Sequence, residues 1–144
     1  MLGDKIEMEL SRTRNFSVGQ KASFTKIATV EIVKQLAQIS GDFNPIHFDE
    51  NYAAQTKFGQ CIAHGLFCLG MISKVIGMEL PGKGTIFVNE RLDYKSPVYI
   101  NDTITAEVKI ISIDECKHLI EVEIKCSNQD NTVVLDGTCL LKLI

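Results

Sequence analysis

A chain of 144 residues, 45% hydrophobic and 23% charged, has the composition of a single globular domain large enough to bury a sizeable core. Its net charge of −3 argues against a general nucleic-acid binder, which presents a basic surface. No apolar run approaches the ~18 residues of a membrane span, so neither nucleic acid nor membrane is an expected partner.

In chain order, Met1 to Leu10 sets Asp4, Glu7 and Glu9 among apolar residues and lacks the basic-then-apolar order of a secretion signal. The expected location is therefore the cytoplasm. Lys21 to Ala28 reads as a strand. Thr29 is suited to cap a helix in which Ile32, Val33, Leu36, Ala37 and Ile39 recur at helical spacing, with Gly41 as its stop. The segment Gly41 to Asp49 follows as a loop, and Asp49 caps a short helix over Glu50 to Gln55. A second long helix runs from His64 through Gly77. Its apolar residues cover most of its circumference, which predicts a helix surrounded by protein. Pro81-Gly82-Lys83-Gly84 ends it.

The period then changes to two. Strands are expected over Thr85 to Ser96, Ile104 to Asp114, His118 to Ser127 and Thr132 to Leu143. Ile104, Ala106, Val108 and Ile110 alternate with polar residues, as do Ile120, Val122, Ile124 and Cys126. This is an antiparallel sheet with one buried face. The expected architecture is α+β, one domain over residues 1–144, with the curved sheet wrapped around the second long helix. Five cysteines without a CxxC pair indicate free thiols rather than a zinc site or a disulfide framework.

The loop Gly-Asp-Phe-Asn-Pro-Ile-His-Phe-Asp carries the chemistry. Asp42 and His47 stand five residues apart around Asn44-Pro45. A helix would set such positions about 140° apart, and Pro45 biases Asn44 away from helix. A loop that folds back can bring carboxylate and imidazole to one point, as acid/base work requires. By spacing alone, an ordinary proline turn with a surface histidine is the commoner outcome.

The block from Ser40 to His47, followed by Ala63-His64-Gly65 and then Leu80-Pro81-Gly82-Lys83-Gly84, resembles the MaoC-type dehydratases, most nearly their (R)-specific enoyl-CoA hydratases. The likeness runs over roughly residues 20–143. The resemblance implies the hot-dog fold and the addition of water to a trans-2-enoyl thioester, giving the (R)-3-hydroxyacyl thioester, or the reverse. It implies that Asp42 and His47 hold the water and that the Gly65 N–H, at a helix start, receives the developing oxyanion. Coenzyme A or acyl carrier protein is then part of the substrate, no separate cofactor or metal is implied, and a homodimer is expected.

The remaining candidates carry weaker signals. Asn44 braces the loop or orients His47 or the water. Ser73 matches a family serine, or simply bonds its own helix backbone. Lys57, Lys83, Arg91 and Lys95 are candidates for coenzyme A phosphates, Lys83 first. Phe43, Phe58, Phe67, Met71 and Met78 are candidates to line an acyl tunnel. His64 reads as a structural loop residue and His118 as a surface one. Competing readings are a hot-dog thioesterase, disfavoured because Leu66 to Gly77 has no Asp or Glu, and a non-enzymatic acyl-CoA sensor, which would not need Asp42 and His47.

Overall fold

The computed structural model describes residues 15–144, so the reading of Met1 to Leu10 lies outside the described residues. Strand β1 (Lys21–Ile27) leads into helix α1 (Val30–Ser40). The Thr29 side chain accepts from the Ile32 N–H, as a cap should. Gly41 ends the helix at φ 78°, a left-handed conformation that glycine adopts without a Cβ clash, and its N–H returns to the Ala37 carbonyl. Asp49 caps α2 (Glu50–Ala54) in the expected way, accepting from the Tyr52 N–H. Helix α3 spans Leu66–Met78. The sheet is completed by β2 (Thr85–Tyr94), β3 (Thr103–Asp114), β4 (Leu119–Ser127) and β5 (Val133–Leu143).

All pairings are antiparallel, in the order β1-β3-β4-β5-β2. The alternation read from β3 and β4 is realised residue by residue: Ile104, Ala106, Val108, Ile110, Ile120, Val122, Ile124 and Cys126 are all buried. They meet Phe67, Cys68, Met71, Ile72, Val75 and Ile76 of α3 in one contiguous core. This is the expected hot-dog arrangement, in which the inward face of a bent sheet and the apolar side of one helix bury each other.

The structure corrects one expectation. In the single chain α3 is covered on one side, not all round. Leu66, Gly70 and Ser73, spaced by four and three, share an exposed stripe, and Met78 beyond them is 74% exposed. Five strands cover only one side of a helix, and its outward side here is built partly of small residues. Edge strand β2 is exposed as well, with Ile86, Phe87, Val88 and Tyr94 open to solvent.

The candidate active site

The loop after α1 is built by short polar bonds. The Ser40 hydroxyl accepts from the Asp42 N–H, Asp42 Oδ1 from the Asn44 N–H, and Asn44 Oδ1 from the Ile46 N–H, at 3.1, 3.1 and 3.2 Å. Each spans two residues, the Asx-type bond that competes with regular structure. Asn44 thereby caps a single 3-10 turn over Pro45–His47, with proline at its start. Bracing by Asn44 is thus observed directly.

A second segment, Cys61 to His64, clamps that loop from outside. The Ile62 N–H donates to the Ile46 carbonyl at 3.2 Å, and His47 Nδ1–H donates to the Ile62 carbonyl at 2.7 Å. His64 Nε2–H donates to the Asp42 carbonyl at 2.9 Å. The clamp is itself anchored, because the Ala63 N–H donates to the Val98 carbonyl and Ile62 bridges to Tyr99. Buried Asp102 holds that last turn by accepting from the Tyr99 N–H and from Gln129. The sequence marks Asp102 only as a turn residue.

The result joins two titratable side chains. His47 Nε2 lies 3.6 Å from Asp42 Oδ2, with the imidazole nearly buried and the carboxylate half exposed. A carbonyl can only accept, so the bond to Ile62 places the proton on Nδ1 and leaves a lone pair on Nε2 of neutral His47. At 3.6 Å the nitrogen and the carboxylate oxygen are too far apart for a direct hydrogen bond. A water beside them can reach both.

His64, read from the sequence as a structural loop residue, packs against the pair as well. Its ring stacks on His47 with centroids 3.8 Å apart, and its Nε2 lies 4.0 Å from Asp42 Oδ2. The signal was present in the sequence as His-Gly before an apolar helix, but only the fold shows what it meets. Asp42, His47 and His64 bring two nitrogens and a carboxylate within 4.8 Å of one another. A metal ion fits this set poorly, since His64 Nε2–H already donates to the Asp42 main-chain carbonyl and two ligands are too few for a stable centre.

Gly65 stands immediately before α3, which has no side-chain cap at its N-terminus. The Phe67 and Cys68 N–H groups turn back to the His64 and Gly65 carbonyls. Among the described residues, the Gly65 N–H meets no protein acceptor. A Cβ on Gly65 would come within 2.7 Å of the Tyr94 ring, so the missing side chain makes room for Tyr94 as well as for close approach to the main chain.

Other candidates are not gathered here. Ser73 is exposed on α3, about 12 Å along the axis from Gly65, and in the single chain it bonds neither Asp42 nor His47. Lys83 is exposed in the turn after α3. Lys57 lies over the Phe58 ring, and Lys95 pairs with Asp93 and Asp136, which leaves Lys95 poorly placed for a phosphate. The five tunnel candidates divide: Phe67 and Met71 are core, Phe58 is half-buried, and Phe43 and Met78 are exposed. An open recess of about 410 Å³ lies elsewhere, over Gly137 between β4 and β5.

Fold and loop together define a class, the hot-dog hydratases and dehydratases. The profile of the MaoC-like domain matches residues 2–132. An (R)-specific enoyl-CoA hydratase of Aeromonas caviae is 35% identical over 130 residues, 90% of this chain and 97% of the relative. A mitochondrial 3-hydroxyacyl-[acyl-carrier-protein] dehydratase of Arabidopsis thaliana is 33% identical over 123 residues, 83% of this chain and 73% of the relative. The solved structure of an (R)-hydratase from A. caviae involved in PHA biosynthesis superposes with a TM-score of 0.87 at 34% identity, covering 92% of this chain and all of that one. The chain belongs to the MaoC-like dehydratase family and is a hydratase/dehydratase, a carbon–oxygen lyase.

Proposed function

We propose that the chain hydrates trans-2-enoyl-CoA to (R)-3-hydroxyacyl-CoA, reversibly, at Asp42 and His47. The observation that carries this reading is the bare Nε2 of His47 set 3.6 Å from the Asp42 carboxylate. A water held by both attacks C3 of the enoyl chain. Its oxygen bonds to C3, its proton passes to the Asp42–His47 pair, and the C2=C3 electrons move to the thioester oxygen. The Gly65 N–H and the positive end of α3 meet that charge. The pair then returns a proton to C2, so the sum is one water added. The two groups act on a shared proton. The (R) outcome and the coenzyme A carrier rest on the similarity to the Aeromonas hydratase.

A homodimer completes the reading. Pairing two β2 edges would extend the sheet and cover Ile86, Phe87 and Val88, and an exposed apolar edge strand is otherwise an aggregation risk. The cytoplasm suits the five free cysteines, of which Cys116 is exposed and four are buried.

The test is crotonyl-CoA, followed by loss of the conjugated-thioester absorbance, with a thiol reagent in a parallel cuvette. Loss of the chromophore without thiol release is expected. Thiol release would establish the thioesterase reading instead. Comparison with crotonyl-acyl carrier protein assigns the carrier, a higher kcat/KM for that substrate counting against coenzyme A.

A further inference from the structure

His64 is 3% exposed, and the mechanism above gives it no task. It touches both members of the pair in different ways. Its Nε2–H fixes the main chain of Asp42 across 22 residues of sequence, and its ring face lies 27° from parallel with that of His47. His47 has one bond that sets its ring, from Nδ1 to Ile62. A single bond still allows the ring to tilt about it, and the face of His64 blocks the tilt on one side.

Packing alone does not account for an imidazole at this place. His64 Nδ1 is buried with no partner, and stranding an acceptor destabilises a fold. A phenylalanine would fill the same space without that penalty. What imidazole adds is the Nε2–H aimed at Asp42. We propose that His64 is a positioning residue of the hydration site, one edge holding Asp42 and one face holding His47 so that both reach a single water. This rests on the hydratase reading of Asp42 and His47.

Three substitutions separate its parts. His64→Gln puts an amide N–H close to the place of Nε2. His64→Asn stops short, at the place of Nδ1. His64→Phe keeps the ring face and removes the donor. In crotonyl-CoA hydration, His64→Asn and His64→Phe are expected to lower kcat by about 100-fold with KM within about twofold, since His64 holds catalytic groups rather than substrate. His64→Gln is expected to recover at least about tenfold of that loss. Activities are normalised to the folded fraction by circular dichroism. Near-wild-type kcat in His64→Asn overturns the proposal, as do equal losses in all three that track the folded fraction. A second readout needs no activity: the backbone amide resonances of Asp42 to His47 shift in His64→Asn and His64→Phe relative to wild type. Unchanged resonances refute the positioning role. Failure of the hydratase reading shows separately, as a wild-type protein that leaves the enoyl absorbance intact.

Discussion

Asp42 and His47 are joined through a gap rather than a bond. Each contributes something the other cannot: the carboxylate an acceptor with two oxygens, the imidazole a lone pair whose direction is set by Ile62. Asp42→Asn and His47→Gln each keep the volume and remove the basic atom. Each is expected to lower kcat for crotonyl-CoA by at least about 100-fold with a thermal midpoint close to wild type. Substantial hydratase activity in either variant would mean the site is misassigned. The thiols give a second expectation at this scale. Burial, with the Glu90 carboxylate adding to it, pushes Cys139 from an ordinary 9 up to about 12. The folded chain therefore keeps this proton to higher pH than the unfolded chain does. Stability from this source is whole below about pH 9 and declines toward pH 12. The thermal midpoint should fall as pH rises past 9, and less steeply in Cys139→Ala.

Elements carry the site through their ends and their closest approaches. The caps at Thr29 and Asp49 and the glycine stop at Gly41 were legible, because each depends on a residue type within four positions of the helix end. The beginning of α3 was less so: it starts at Leu66, with Gly65 at its N-cap, rather than at His64. Gly137 shows a constraint that no local pattern announces. It sits opposite Leu92 in the β2–β5 ladder, and a Cβ there would meet the Arg91 carbonyl oxygen at 2.0 Å. Backbone cannot step aside as a side-chain tip can. Gly137→Ala is expected to cost about 3 kcal/mol and to lower the midpoint by roughly 10 °C, read by thermal unfolding. A midpoint within a degree of wild type would show that the two strands separate freely.

At the scale of the molecule, the exposed stripe of α3 and the open edge of β2 belong to one expectation. A chain of 16.0 kDa should scatter light as a particle of about twice that mass at micromolar concentration. Val88, 53% exposed on the edge strand, is the place to interrupt the pairing. Val88→Glu should shift the population toward monomer, since a charge buried against a second copy is strongly disfavoured. A wild-type monomer with full activity would remove the dimer from the account.

The sequence by itself determined what is periodic or local. Alternation defined the buried face of β3 and β4, the caps defined α1 and α2, and Pro45 marked Gly41 to Asp49 as a loop. These depend on chain geometry over one or two turns, which any reader of the residues can count. Only the tertiary structure decided how Asp42 and His47 are aimed. The bonds that aim them reach across 15 and 22 residues, to Ile62 and His64. Their partners are set by where a bridge to Tyr99 places a short extended segment against the loop. Spacing carries no trace of such a contact. It exists because the core of the sheet and helix brings both segments to one end of α3, and the chemistry is assembled there.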